Sequence, residues 1–116
     1  MLPKNRRIQR KDFSFILKNG KRYNSPHLLV YVVKLNYSDT STKSRFSFSV
    51  SKKVSKKAVD RNRLRRRGYS IIAKHKNILE KSLFCFFSFK KGAGTLTFTQ
   101  LKKEIIDLLR DATVLL

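Results

Sequence analysis

The sequence predicts an α+β fold in which a small mixed sheet packs against helices, with the elements in the order α-β-β-α-β-α. Three observations support this class. The chain has 116 residues, which suits a single domain spanning 1–116. Apolar residues recur at helical spacing in some segments and alternate at strand spacing in others. Nine Phe and four Tyr supply large contact areas, so a modest core can form without disulfide bonds.

The first element is a short amphipathic helix. Asp12 belongs to a residue type favoured at helix N-caps, and Asn19-Gly20 is a typical helix end. Apolar residues at spacing i, i+3, i+4 lie on one helical face. That face collects Phe13, Ile16 and Leu17.

Two strands follow. Residues 27–35 are β-branched and aromatic, 36–44 are polar and predict a loop, and 45–53 alternate in the manner of a half-buried strand. In this second strand Phe46, Phe48 and Val50 share one face, and Arg45, Ser47, Ser49, Ser51 and Lys53 share the other. Short serine side chains would leave that second face open to a flat ligand, although a solvated sheet face explains this strand equally well.

A long helix is predicted from Ala58. Its buried stripe comprises Leu64, Gly68, Ile71, Ile72 and His75. A glycine inside a helix costs about 1 kcal/mol relative to alanine. Gly68 therefore indicates either a close approach by another element or a weakened helix.

The last third of the chain predicts a strand and a helix. Residues 82–89 form an apolar run that favours a buried strand, in which Cys85 is a small buried hydrophobe. Residues 92–94, with the sequence Gly-Ala-Gly, indicate a turn, and Thr97 with Gln100 forms a capping box. The helix that follows has an apolar face of Phe98, Leu101, Ile105, Leu108, Leu109 and Ala112.

Charge gives the first indication of function. The formal net charge is +21, and residues 1–67 carry 20 Lys and Arg against 3 acids, while 68–116 carry 8 against 4. This asymmetry predicts a front half that binds a polyanion and a back half concerned with packing. Nucleic acid, anionic membrane and acidic protein are the candidate partners.

The basic residues concentrate in 52–67, where nine Lys and Arg accompany one acid, Asp60. A membrane-surface helix needs a free apolar face, but here that face is required for the sheet. No apolar stretch approaches the ~18 residues of a membrane span. Arginine suits bidentate phosphate contact and base stacking. RNA is favoured over DNA, because the sheet is shallow and helix-turn-helix spacing is absent.

The sequence offers no catalytic constellation. His27 and His75 have no neighbours at metal-ligand spacing, and Asp107 with Asp111 is the only i, i+4 acidic pair. No nucleophile motif is present. We therefore assign no catalytic and no metal-ligating residue, and an intrinsic nuclease is disfavoured.

The motif "SVSKK" leading into "AVDRNRLRR" resembles the signature of the bacterial ribonuclease P protein subunit. "RIQRKDFSFILKNGKR" and "LTFTQLKKEIIDLL" resemble its first and last helices. The resemblance implies a fold close to the second domain of ribosomal protein S-five, with a left-handed crossover. It also implies a cytoplasmic ribonucleoprotein endonuclease that removes the 5′ leader of precursor tRNA.

In that family the RNA subunit performs the hydrolysis with bound Mg²⁺, and the protein binds the ribonuclease P RNA and the leader. The resemblance implies contacts to the catalytic RNA by Lys52, Lys53, Lys56, Arg61, Asn62, Arg63, Arg65 and Arg66. It implies a leader-binding cleft formed by Phe13, Leu17, Tyr31, Ser49 and Ser51, with Leu17 standing where the family often has an aromatic residue. The alternative is a ribosomal or chaperone-like RNA-binding protein without a part in cleavage.

Overall fold

The computed structural model describes residues 6–34, 44–75 and 82–115, with side chains as far as Ala112. Its elements are α1 (Phe13–Asn19), β1 (Lys21–Asn24), β2 (Leu28–Lys34), β3 (Arg45–Ser49), α2 (Ala58–Ala73), β4 (Leu83–Phe89) and α3 (Phe98–Leu115), with short 3-10 turns at Arg10–Asp12 and Ala93–Thr95. The α+β class is confirmed. The predicted loop at 36–44 lies outside the described residues apart from Ser44.

The four strands form one mixed sheet in the order β1-β2-β4-β3. β2 pairs antiparallel with both β1 and β4, whereas β3 and β4 are parallel neighbours. The chain connects the parallel strands β3 and β4 through α2. The family resemblance predicts that this connection is a left-handed crossover. The handedness itself stays a prediction.

β1 is an addition to the predicted order. Its sequence, Lys-Arg-Tyr-Asn, contains only one half-buried residue, Tyr23, and so lacks the apolar alternation of a strand. It forms because the chain turns back after α1 and pairs with β2, from Lys21 opposite Val32 to Asn24 opposite Leu29. Tertiary pairing thus overrides a weak local preference.

β3 ends earlier than the predicted strand at 45–53. Beyond Ser49 the backbone turns, since the Ser51 carbonyl accepts hydrogen bonds from the N–H groups of Val54 (3.1 Å) and Ser55 (3.3 Å). The alternation up to that point is confirmed: Phe46, Phe48 and Val50 are buried, and Ser47 and Ser49 are half-buried. Ser51 therefore lies in the turn and not on the sheet.

The main core lies between one face of the sheet and the helices α2 and α3. Phe46, Phe87, Leu28, Ile72 and Ile105 are fully buried there. Cys85 is among the buried residues, and burial raises the pKa of its thiol to about 12. The thiol is therefore protonated at neutral pH, as the prediction of a small buried hydrophobe requires.

Gly68 provides the close approach that its position in the buried stripe suggested. A Cβ at this residue would lie 2.7 Å from two ring carbons of Phe48. The Phe48 ring stacks on Phe87 with centroids 4.7 Å apart and meets Tyr69 edge-on at 5.1 Å. α2 continues past the glycine to Ala73, so the helix is not interrupted.

The predicted helix ends are confirmed with two differences in mechanism. Asp12 is the N-cap of α1 but makes no side-chain capping bond, because a 3-10 turn precedes it. Gly20 ends α1 with φ −74°, and glycine fits there because a Cβ would lie 2.6 Å from the Ile16 carbonyl oxygen. The capping box forms as predicted: the Gln100 N–H donates to Thr97 Oγ1 (3.1 Å), and the Thr97 N–H donates to Gln100 Oε1 (2.9 Å).

Candidate nucleic-acid interface

The loop at 51–57 and the first turns of α2 bring the predicted basic residues into one region. Arg61 holds the two parts together, because its Nη1 donates to the carbonyl oxygens of Ser55 (3.0 Å) and Lys56 (2.8 Å). This arginine, predicted from sequence only as an RNA contact, also has a structural role. It orders the backbone that carries Lys56 and leads into α2.

Most of the predicted RNA-binding side chains are directed to solvent. Arg65 donates a hydrogen bond to Asn62 Oδ1, and Arg63 lies 3.9 Å from Asp60. Arg61 and Arg65 are half-buried, while the exposed members are Lys52, Lys53, Lys56, Asn62, Arg63 and Arg66. The region therefore presents several cations with little neutralisation by neighbouring acids.

The sheet face opposite the main core forms a second candidate surface. At one end it is covered by α1 and the N-terminal segment, through buried Ile8, Ile16 and Val33. Further along, Phe86 lies between Phe13 (centroids 5.1 Å apart, edge-on) and Tyr31 (6.0 Å, stacked). Aromatic side chains at this point can therefore offer ring surface to an unstacked base.

Strand register extends this aromatic group into a continuous surface, because directly paired residues point to the same side of a sheet. Ser47 pairs with Phe86, Phe86 with Tyr31, and Tyr31 with Arg22. In the next row Ser49 pairs with Ser88. We call this surface the outer sheet face; it comprises Arg22, Tyr31, Ser47, Ser49, Phe86 and Ser88.

The five residues predicted for a leader-binding cleft are only partly brought together. Phe13 and Tyr31 meet through Phe86, and Ser49 lies on the same face. Ser51 is in the turn after β3, and Leu17 is 51% exposed on α1. The position of Leu17 makes it accessible, whereas Ile16 carries the buried contact of this helix.

Phe86, Ser88 and Arg22 were missed by sequence reasoning. The apolar run at 82–89 predicts a wholly buried strand, but Phe84, Phe86 and Ser88 alternate with buried neighbours and are half-buried. That period of two was a usable signal for Phe86 and Ser88. Arg22 gave no such signal, since it becomes part of the face only through the pairing of β1.

Acidic side chains are concentrated elsewhere. In the described parts of the chain α2 carries one acid, Asp60, while α3 carries Glu104, Asp107 and Asp111. Glu104 accepts hydrogen bonds from Ser25 Oγ (2.6 Å) and the His27 N–H (2.9 Å), and its other oxygen lies 2.9 Å from His27 Nδ1. Burial acts to raise the pKa of Glu104, but these bonds outweigh it, and the net pKa is lowered.

The described residues contain no cluster of side chains that could bind a metal ion. No group of three His, Cys, Asp or Glu side chains comes together within residues 6–34, 44–75 and 82–115. Within the same ranges, no helix has the length and apolarity needed to cross a membrane.

Comparison with known proteins decides the family. The family model for ribonuclease P matches residues 2–113. The chain belongs to the ribonuclease P protein family. A member of this family is the protein component of a tRNA-processing ribonucleoprotein, and thus part of a ribonuclease complex.

Curated relatives agree with this assignment. The ribonuclease P protein component of Microcystis aeruginosa is 44% identical over 72 residues, covering 61% of this chain and 60% of that protein. The protein of the same name from Synechococcus elongatus is 31% identical over 116 residues, covering 98% of this chain and 95% of the relative.

Solved ribonuclease P protein structures share the fold. A Staphylococcus aureus RNase P protein, described as a mutant with defective mRNA degradation activity, superimposes with a TM-score of 0.82 at 26% identity, covering 95% of this chain and 90% of that one. The Thermotoga maritima RNase P protein gives a TM-score of 0.78 at 24% identity, covering 90% and 96%. The likeness to the Thermotoga maritima protein shows the fold alone.

Proposed function

We propose that this ribonuclease P protein binds the catalytic RNA subunit through α2 and its preceding loop, and binds the 5′ leader of precursor tRNA on the outer sheet face. In this proposal the protein assists endonucleolytic removal of the leader to give the mature 5′ end, in the cytoplasm. The observation that carries it is the arginine-rich start of α2, in a chain of this family.

The exposed cations of α2 and its preceding loop are suited to phosphate binding. Lys52, Lys53, Lys56, Arg63 and Arg66 are exposed, and a guanidinium can contact phosphate oxygens through two parallel hydrogen bonds. Repulsion among these cations is relieved when phosphates lie between them. Binding should therefore weaken as the salt concentration rises. Each neutralised phosphate should make the slope of log K against log salt more negative, by roughly 0.9 on a duplex and about 0.7 on a single strand.

The outer sheet face offers aromatic rings for stacking and open space through which a base can reach them. Half-buried Tyr31 and Phe86 offer ring surface, the serines leave space above the strands, and Arg22 supplies a cation beside Tyr31. Stacking of a base on an aromatic side chain contributes about 1–3 kcal/mol. A single-stranded leader supplies such bases, whereas mature tRNA lacks the leader.

Hydrolysis in this proposal uses Mg²⁺ held mainly by the RNA. The described protein residues supply no cluster of carboxylates that fits a catalytic metal pair. The protein's own residues would bind and orient RNA. No step of the reaction is assigned to a protein side chain.

Reconstitution tests the proposal. The full chain is mixed with a cognate ribonuclease P RNA at low Mg²⁺, and cleavage of a precursor tRNA is followed. We expect faster cleavage than with RNA alone, a smaller gain for Arg65→Ala and an unchanged gain for Lys102→Ala on α3. No gain from the unmodified protein would overturn the proposal.

Co-purification separates the proposal from a ribosomal or chaperone-like role. A protein that assists cleavage should retain one ribonuclease P RNA species, whereas the alternative should retain ribosomal RNA. The family assignment favours the first outcome.

A further inference from the structure

A cavity lies beside the basic part of α2, and Arg63 is the one predicted RNA contact that borders it. Its volume is about 210 Å³. Asp60, Arg63 and Arg67 line it from α2, and Gly94 lines it from the turn after β4. Residues at spacing i, i+3, i+7 share one helical face, so these three side chains border the same opening.

The cavity combines apolar and polar walls. Val54 and Leu64 contribute the apolar part, and both pack into the main core. Leu64 is 4% exposed, which makes this part of the wall fixed. The flat face of a planar ring can therefore rest there, while charged groups surround its edge.

Asp60 is the feature that phosphate binding does not explain. It is the only acid in residues 44–75, a segment otherwise dominated by cations. A carboxylate at the rim would repel a phosphate, so this is not a plain anion pocket. Its contact with Arg63 is 3.9 Å, longer than a hydrogen bond, so both carboxylate oxygens can still accept hydrogen bonds.

A carboxylate only accepts hydrogen bonds, so its ligand must present donors. Among the RNA bases, guanine has two adjacent donors, N1–H and the N2 amino group, that match both carboxylate oxygens. Adenine and cytosine each offer one amino group on this edge, and uracil offers one N–H between two carbonyl oxygens that a carboxylate repels. Unstacked RNA bases are commonly read on this edge and stacked on guanidinium planes.

We propose that this cavity takes one unstacked guanine of the bound RNA. Asp60 accepts from the guanine N1–H and N2 amino group, the ring rests against Val54 and Leu64, and Arg67 contacts the adjoining phosphate. The inference rests on the proposed function, and it adds a base-specific contact to a surface otherwise suited to backbone phosphates.

The direct test is an NMR titration of the full chain with 5′-GMP, 5′-AMP, 5′-CMP, 5′-UMP and inorganic phosphate in turn. We expect 5′-GMP to shift the Gly94 and Leu64 amide signals and to bind about tenfold more tightly than 5′-UMP, in the range of a bidentate base contact. Equal affinities for the four nucleotides and phosphate would overturn the proposal, as would unchanged Gly94 and Leu64 signals.

The Asp60→Asn variant separates base reading from simple electrostatics. Removing a negative charge next to RNA should strengthen binding if Asp60 only repels phosphate, but should weaken binding to ribonuclease P RNA about tenfold if it reads guanine. Asp107→Asn is the matched control, because Asp107 also lies 3.9 Å from an arginine at i+3 but on α3. Unchanged or tighter binding by Asp60→Asn would reject the guanine contact.

Gly94→Leu provides an independent variant that keeps Asp60. A Cβ at Gly94 meets nothing within 4 Å, and its φ is not in the left-handed region, so a side chain is accommodated at this point of the cavity wall. We expect an unchanged melting temperature and loss of the 5′-GMP preference. A retained preference would contradict the proposal. Enhanced cleavage by the unmodified protein, with no guanine preference, would leave the proposed function standing and remove only this inference.

Discussion

Gly68 lies in the middle of α2, where alanine would normally be the better residue by about 1 kcal/mol. The Phe48 ring reverses that preference, since an added Cβ would approach it to 2.7 Å. Phe48 cannot retreat easily, because Phe87 stacks on its ring at 4.7 Å. We expect Gly68→Ala to lower the free energy of unfolding by about 1–3 kcal/mol, as overpacking does in a dense core. Urea denaturation measures this change.

Gly94→Ala is the control for that prediction. Its Cβ would meet nothing within 4 Å, so its free energy of unfolding should change by less than about 0.5 kcal/mol. If Gly68→Ala proved as stable as the unmodified protein, the close approach to Phe48 would not limit the packing of α2.

Phe13 is the residue at which the proposed leader contact is most directly tested. Its ring forms one wall beside Phe86, at a centroid distance of 5.1 Å. We expect Phe13→Ala to lower affinity for precursor tRNA by ~1–3 kcal/mol, the range for one stacked base, with little change for mature tRNA. Filter binding to both RNAs measures the difference. Phe98→Ala removes an exposed ring from α3 and should affect neither. Equal losses for both tRNAs in Phe13→Ala would exclude a leader contact.

The sequence pattern predicts burial correctly along β3, and it misleads where an apolar run masks an alternation or where a turn ends a strand. The alternation at Phe46, Phe48 and Val50 predicted their common burial correctly. The apolar run at 82–89 predicts a buried strand that includes Phe86, yet Phe86 lies on the outer sheet face. Ser51 continued the alternation in sequence, but backbone hydrogen bonds to Val54 and Ser55 take it off the sheet.

Among the elements, α2 depends on Arg61 for the loop that precedes it. Arg61 donates to two loop carbonyls, at Ser55 and Lys56, so Arg61→Ala should lower the free energy of unfolding by about 1–2 kcal/mol. Arg66 is exposed, and Arg66→Ala should leave stability unchanged within about 0.5 kcal/mol. Chemical denaturation compares the two variants.

Arg61→Ala and Arg66→Ala should differ in their effect on stability but not in the direction of their effect on RNA binding. Both variants should weaken binding to ribonuclease P RNA, and Arg66→Ala should reduce the salt slope by about 0.7–0.9, the contribution of one phosphate contact. Equal stability of the two variants would show that the Arg61 hydrogen bonds do not order the loop.

α3 is tied to the turn between β1 and β2 by Glu104, which accepts bonds from Ser25 and His27. Because the folded protein lowers the pKa of Glu104, this contribution is present at pH values above the unfolded pKa and is lost as pH falls through the folded one. Glu104→Gln should therefore flatten the acid side of the stability curve, measured as melting temperature between neutral and acidic pH. Asp107→Asn is the control, and identical acid profiles for Glu104→Gln and the unmodified protein would contradict this assignment.

At the scale of elements, strong periodic signals predicted both long helices and three of the four strands. β1 was the exception, because four mostly polar residues acquire strand geometry only through β2. The same difficulty applies to the cavity beside α2: Gly94 and Asp60 are distant in sequence, and no local pattern indicates that they border one space.

The whole molecule combines a net charge of +21 with a core that occupies mainly one side of the sheet. Self-repulsion destabilises a compact state, and an anion that binds only the folded protein stabilises it by mass action, about 2.7 kcal/mol at a concentration 100 times its Kd. For a domain of this size that corresponds to a melting-temperature increase on the order of 10 °C.

The melting temperature measured in sulfate and in chloride at equal ionic strength distinguishes site binding from screening. Screening alone would raise the melting temperature by the same amount in the two salts. We expect the larger increase with sulfate and a reduced difference in Arg66→Ala, because exposed guanidinium groups at the start of α2 would hold the divalent anion. Equal effects of the two salts would mean that the cations act only as a diffuse field, and the phosphate contacts proposed for α2 would lose their support in the free protein.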